Sequence, residues 1–198
     1  LVRNAADVQI IHGDTTTELL TFDEGTGAPE VWPVIVRNGR DDTSVLFGLK
    51  WTGHDMFSGG GAAVGRVTLY RFEPGAPGAT EALTFPSNSD ISIRACFDED
   101  DTRARRDACA DQYTFIGQLS LDTENAASPA RLVLQTFATT YPGPRSRMSD
   151  STQDAPLQAS DLVVTPDEEC SYRRTLTFNG ASYDYDTPPP ACEDYQLQ

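Results

Sequence analysis

Two histidines are the side chains best suited to acid–base or metal chemistry, and each has an aspartate close by. His12 is followed by Asp14, and His54 is followed directly by Asp55. An imidazole and a carboxylate can ligate zinc together, or form a pair in which the histidine acts as a general base. On a strand, His12 and Asp14 would point to the same face, as a single site requires. A chain with 20 aspartates often places one beside a histidine by chance, so surface or hydrogen-bonded histidines are the simpler expectation.

Serine and lysine chemistry has weaker support. Residues 180–182 begin like a nucleophile elbow, but the last glycine of G-x-S-x-G is missing and the flanking pattern predicts a hairpin. Lys50 is the single lysine, and alternation places it on the polar face of its strand, so Schiff-base catalysis is not expected. The glycine-rich residues 58–65 lack the spacing of phosphate-binding loops. They predict either a binding loop near His54 or a mobile hairpin connection.

The densest cluster of charge lies between Cys96 and Cys109 and just after them. Its aspartates are suited to calcium, which takes six to eight oxygen ligands in flexible geometry. The candidate calcium ligands are Asp98, Asp100, Asp101, Asp107 and Asp111. The spacing of an EF-hand is absent, because Arg103 stands where that loop needs glycine. Three arginines follow the first acids, so the alternative is a loop that neutralises itself through local salt bridges.

Acidic residues also leave carboxylate-based hydrolysis open, since a glycosidase needs only two of them. Aromatic rings alternate with acids in residues 183–186, which is equally typical of an exposed hairpin with one aromatic face. The candidate binding residues are His54, Ser58, Tyr183 and Tyr185. No residue is assigned a catalytic role.

The four cysteines divide into two pairs whose members are close in sequence. Four cysteines allow three connectivities. Pairing Cys96 with Cys109 and Cys170 with Cys192 closes the two short loops, and each bond would contribute roughly 3 kcal/mol. A four-thiolate zinc site is the alternative, but the chain has no C-x-x-C motif. Disulfides predict a periplasmic or extracellular location, and the first residue, Leu1, is consistent with a cleaved signal peptide.

Alternation of apolar and polar residues with a period of two runs through most of the chain and predicts half-buried strands. In residues 44–51, for example, Phe47 and Leu49 share one face. Hairpin turns are predicted at 38–39 and 179–180, both Asn-Gly, and Pro33 indicates an edge strand or a bulge.

Only residues 101–112 have a helical pattern, with Asp101 or Thr102 as the N-cap. The predicted fold is therefore all-β: an antiparallel β-sandwich or partly closed barrel of about ten to twelve strands, with at most one or two short helices and two disulfides. Length favours one domain over residues 1–198. We expect a main β-sandwich in 1–141, a polar surface loop in 142–160 and a disulfide-clamped hairpin region in 161–198.

Composition separates the function classes. Thirty acidic residues against 15 basic ones give a net charge of −15, which argues against a nucleic-acid partner. No stretch is long and apolar enough to predict a membrane span. The absence of N-glycosylation sequons is consistent with a bacterial source, and the preference for arginine over lysine with a GC-rich genome or an acidic, salt-tolerant proteome.

The leading hypothesis is a non-catalytic secreted or periplasmic domain that binds a protein partner or forms an accessory part of an envelope or extracellular assembly. One alternative is an inhibitor or sequestering module for a cationic protein such as a basic hydrolase, because negative charge speeds association with basic proteins. The other is a hydrolase that uses Asp, Glu or the histidines. Apart from possible calcium, no cofactor is expected.

Overall fold

A computed structural model describes residues 2–3, 7–12, 15–21, 29–37, 43–125 and 129–196. Within these ranges the chain forms twelve strands: β1 (Val2–Arg3), β2 (Asp7–His12), β3 (Thr15–Thr21), β4 (Glu30–Arg37), β5 (Val45–Phe57), β6 (Gly60–Phe72), β7 (Ala79–Arg94), β8 (Ala110–Leu121), β9 (Leu132–Tyr141), β10 (Thr165–Pro166), β11 (Arg173–Phe178) and β12 (Tyr183–Tyr185). The all-β prediction is confirmed, and among the described residues no helix is long and apolar enough to cross a membrane.

The strands form two antiparallel sheets. β1, β2 and β3 make a small sheet, and the main sheet has the order β12-β11-β9-β8-β7-β6-β5-β4, with β10 paired to β9. β4 is therefore an edge strand, and its register with β5 shifts between Trp32 and Ile35. Pro33 lies at this shift, as its lack of an N–H donor predicts. The hairpin predicted at Asn179 and Gly180 joins β11 to β12, with Gly180 at a φ of 107°. The other predicted Asn-Gly turn, 38–39, lies outside the described residues.

The pairing of the main sheet changes in the middle of β7. Gly65 of β6 pairs with Asn88 and Arg66 with Pro86, so Ser87 is an extra residue on β7. A bulge of this kind bends its strand, and β7 pairs with β8 only from Asn88 to Arg94. The first half of β7 leaves β8 at this point and folds over the second layer of strands, which gives the predicted sandwich.

The central core fills the space between the two layers. Leu83 of β7 lies in one buried cluster with Leu134 of β9 and Leu176 of β11. Trp32 of the edge strand packs against this cluster, and its ring crosses the backbone of Gly48 so closely that a Cβ there would lie 2.8 Å from Trp32 Cε3. Glycine at position 48 therefore makes room for the indole.

β5 is buried on both faces over its first half. Phe47 and Leu49 share one face, as predicted, and pack against Val8 and Leu19 of the small sheet. The opposite face, which alternation predicted to be polar, instead carries Leu46 into the central core. The prediction of a polar face was wrong because β5 lies in the middle one of three layers. A strand that is covered on both faces has a nearly continuous run of apolar residues instead of an alternating pattern.

One short α-helix, α1 (Glu99–Ala104), lies inside the first disulfide loop. It begins earlier and ends sooner than predicted: Asp98 is its N-cap and accepts a hydrogen bond from the Asp101 N–H. Arg106 and Asp107 have positive φ values of 51° and 66°. These left-handed residues end the helix and turn the chain back, so that β8 can start at Ala110.

The remaining helical segments are three 3-10 turns, Ser151–Gln153, Ala159–Asp161 and Glu193–Tyr195. The third directly follows Cys192.

Both disulfides form as predicted. Cys96 joins Cys109, and Cys170 joins Cys192 with the two Cα atoms 5.7 Å apart. The first bond closes the loop that carries α1. The second fixes the C-terminal tail, residues 189–196, to the segment before β11.

Candidate functional site

The histidine–aspartate pairs do not form a site among the described residues. His54 is exposed on β5, and Asp55 points to the opposite face because the two are neighbours on a strand. The nearest acid across the sheet on the same face is Asp90, two strands away through Ala63. At the usual strand spacing this is about 10 Å, well beyond a hydrogen bond. The backbone of His12 ends β2, but its side chain and the whole of Asp14 lie outside the described residues.

The other candidate binding residues are dispersed. Ser58 is exposed in the two-residue turn between β5 and β6, and Gly60 already belongs to β6, so the glycine-rich stretch is mostly strand. Tyr183 is only 5% exposed, lies in the central core and donates a hydrogen bond to the Ala130 carbonyl oxygen at 2.8 Å. Tyr185 is half-buried and faces a cavity described below.

The five candidate calcium ligands each have a different local environment. The Asp98 carboxylate caps α1, the Asp101 carboxylate accepts from the Phe97 N–H, and Asp100 pairs with an arginine of α1. Asp107 is exposed at the helix end, whereas Asp111 is buried in β8. Within the described part of the chain no three His, Cys, Asp or Glu side chains are arranged to hold a metal ion.

Arg105 and Asp111 form a buried ion pair beneath the first disulfide loop. Their side chains are 6% and 3% exposed, and an Nη of Arg105 contacts a carboxylate oxygen of Asp111. Arg105 also donates to the Ala108 carbonyl at 2.9 Å, and Arg106 donates to the Leu157 carbonyl at 2.8 Å. These contacts attach the loop to β8 and to the segment around Leu157, so the arginines of this cluster have a structural role.

Two adjoining cavities form a groove beside the bend of β7. The larger, of about 620 Å³, is lined by side chains that include Trp51 and Arg66, and the smaller, of about 120 Å³, by side chains that include Phe115. Pro86 and Gln196 line both, so the two cavities adjoin at these residues. We call this feature the aromatic groove. The rings and prolines that line it are Trp51, Phe85, Pro86, Phe115, Tyr172, Tyr185, Pro189, Pro190 and Tyr195.

The C-terminal tail forms one wall of the aromatic groove and is held there firmly. Tyr195 is 3% exposed, packs its ring 5.8 Å from that of Phe115, and donates from its hydroxyl to Asp167 Oδ2 at 2.9 Å. Asp194 accepts from the Arg147 N–H at 2.7 Å. With the Cys170–Cys192 bond, these contacts give the groove a wall that is in place before any ligand binds.

Burial shapes the acid–base behaviour of the groove tyrosines. It raises the pKa of Tyr185 to about 12, and it raises the pKa of Tyr172 as well. The pKa of Tyr195 is also raised, first by burial and then by the hydrogen bond to Asp167. These phenols stay neutral in ordinary buffers, so the groove presents uncharged rings.

The raised tyrosine pKa values predict a loss of stability in alkali. A phenol whose pKa is higher in the folded chain holds its proton more tightly there, so its contribution is complete below the unfolded value of about 10 and is lost as the pH rises through the folded value. We expect the free energy of unfolding, measured by urea titration, to fall between about pH 10 and 12. The fall should be shallower in Tyr185→Phe. Equal slopes in both proteins would contradict this origin.

Most arginines of the described ranges are engaged by the chain itself. Carboxylates hold Arg71, Arg103, Arg105, Arg131 and Arg145, carbonyl oxygens hold Arg106 and Arg147, and aromatic rings hold Arg66, Arg94 and Arg174. Many carboxylates instead lie at the surface. The exposed acids include Glu30, Asp55, Asp90, Glu99, Asp107, Glu124, Glu168, Glu169, Asp184, Asp186 and Glu193. The outward charge is therefore strongly negative.

Of the residues lining the aromatic groove, sequence reasoning identified only Tyr185. Nothing in the sequence shows that Trp51 lines one cavity together with Pro86 and Gln196. The proline run before Cys192 and the tyrosines on either side of that disulfide were the available signal. Comparison of the chain with known protein families, curated proteins and solved structures finds no significant match.

Proposed function

We propose that the protein is a non-catalytic domain that works outside the cytoplasm by binding a basic protein partner, as an accessory part of an envelope or extracellular assembly. The observation that carries the proposal is the distribution of charge. Most arginines of the described ranges are held by the chain's own carboxylates, carbonyls and rings, while many carboxylates face solvent. The two disulfides support a location in an oxidising compartment.

A net charge of −15 acts on a partner before contact. A field of one sign attracts a basic protein, raises the association rate and repels acidic competitors. If the partner is a basic hydrolase, the same surface makes the protein a sequestering module for that enzyme, which is the second form of this proposal.

The test is capture from the extracytoplasmic fraction of cells that produce the protein, followed by identification of what binds. We expect a basic protein that is released by salt and is retained equally well by His12→Gln and His54→Gln. A general base contributes on the order of a hundredfold or more to a rate. Turnover of glycan or ester substrates that is lost in either histidine variant would contradict the proposal and favour a hydrolase.

A further inference from the structure

We infer that the aromatic groove binds an extended segment of the partner that contains arginine and proline, an inference that rests on the proposed function. The groove combines two adjoining concave surfaces with aromatic and proline residues from β5, β7, β8, β12, the segment just before β11 and the C-terminal tail. Aromatic-lined grooves are the usual binding sites for proline-rich segments, whose preformed extended conformation lowers the entropy cost of binding.

The groove rings already contact the two kinds of side chain that the inference requires. Pro189 and Pro190 line the smaller cavity together with Tyr172 and Tyr185, so these rings lie beside prolines of the chain's own tail. The guanidinium carbon of Arg174 lies 5.0 Å from the ring centre of Tyr172.

An arginine also stacks on a ring at the other end of the groove, where the guanidinium carbon of Arg66 lies 5.9 Å from the ring centre of Trp51. Stacking of a cation on a ring is favourable at these distances. The rings of this surface are therefore of the kind that contacts guanidinium groups and prolines.

Three glutamates flank the second disulfide, one cysteine of which lines the smaller cavity. Glu168 and Glu169 directly precede Cys170, and Glu193 directly follows Cys192, which itself lines the smaller cavity. All three glutamates are exposed. These carboxylates adjoin the disulfide in sequence on both of its segments, and their negative charge attracts a positively charged segment.

Charge also decides between the possible occupants. A second copy of this chain would bring a net charge of −15 against another −15, and the repulsion opposes self-association through this face. The C-terminal tail cannot be the occupant, because residues 189–196 form the wall itself. A basic segment of another protein is the occupant that fits both the rings and the charge.

The experiment measures fluorescence anisotropy of a labelled peptide made of repeated Pro-Pro-Arg units. We expect saturable binding to the wild-type chain and much weaker binding of peptides with Pro-Pro-Glu or Gly-Ser-Arg repeats. Trp51→Ala should weaken binding tenfold or more, as loss of an aromatic anchor does. Glu169→Gln combined with Glu193→Gln should weaken it several-fold at low salt.

Matched control variants lie in the other disulfide loop. Phe97 is 62% exposed and stacks on Arg94, and Glu99 is exposed in α1, so Phe97→Ala and Glu99→Gln remove an aromatic ring and a charge away from the groove. Both should bind the peptide as the wild type does. Equal losses in the control and groove variants would overturn the inference.

If Trp51→Ala folds poorly, NMR of the wild-type chain and its oligomeric state test the same groove. In the wild-type chain, peptide-induced NMR shifts should appear at the Trp51 indole and at Tyr185 but not at Phe97, and the reverse pattern would overturn the inference. A concentration-dependent dimer that Trp51→Phe abolishes would assign the groove to self-association and overturn it as well.

Failure of the inference can be distinguished from failure of the proposed function. A chain that captures a basic protein but does not bind the Pro-Pro-Arg peptide contradicts the groove assignment alone. A chain that binds no basic protein at all contradicts the proposed function, and the groove inference with it.

Discussion

Asp111→Ala is expected to destabilise the fold by about 3–5 kcal/mol, because it leaves the buried guanidinium of Arg105 without its counter-charge. The Arg105 side chain is 6% exposed and cannot regain water without moving the first disulfide loop. Urea unfolding followed by circular dichroism at neutral pH measures the effect. The double variant Arg105→Met, Asp111→Leu should recover much of the loss, since apolar residues of similar volume remove both charges.

The matched control is the exposed pair of the same loop. Arg103 and Asp100 have side chains that are 74% and 88% exposed, and such pairs contribute about 0–1 kcal/mol. Asp100→Ala should therefore change the free energy of unfolding by less than about 1 kcal/mol. A loss at Asp111 no larger than that at Asp100 would contradict the structural role of the buried pair.

Replacing Cys170 and Cys192 with serine is expected to lower the free energy of unfolding by roughly 3 kcal/mol and to abolish peptide binding in the aromatic groove. The loss of stability follows from the larger conformational freedom of the unfolded chain without the cross-link. The loss of binding follows because the bond holds the tail that forms the groove wall.

The first disulfide provides the control for this variant. Cys96→Ser with Cys109→Ser opens a loop of similar size, with a sequence separation of 13 residues against 22. Its stability loss should be comparable, but peptide binding by the folded fraction should persist, because no groove residue lies in that loop. Binding lost equally in both double variants would contradict a specific role for the tail.

Local patterns were sufficient to predict much of the fold. Alternation in Phe47 and Leu49 identified a strand and its buried face, the Asn179-Gly180 pair identified a hairpin, and the spacing of the cysteines identified both disulfides. Each of these features depends on residues that are close in sequence, where the chemistry of turns and pleats dominates.

The groove depends on contacts that local patterns do not report. Trp51, Pro86 and Tyr185 come from three different strands, and the extra residue Ser87 in β7 shifts the register beside Pro86 in a way that no sequence spacing predicted. The burial of Leu46 was missed for the same reason, since it depends on a second layer of strands. Only the three-dimensional arrangement assigns these residues to a site.

The most direct test of the account is the rate at which the protein associates with its captured basic partner as salt is raised. Exposed charges are screened over about 10 Å at 0.1 M salt, so a steered encounter predicts an association rate constant that falls by tenfold or more between about 0.05 and 0.5 M salt. Surface plasmon resonance with immobilised partner gives this constant directly. An association rate that does not change with salt would contradict the claim that the protein functions through its acidic surface.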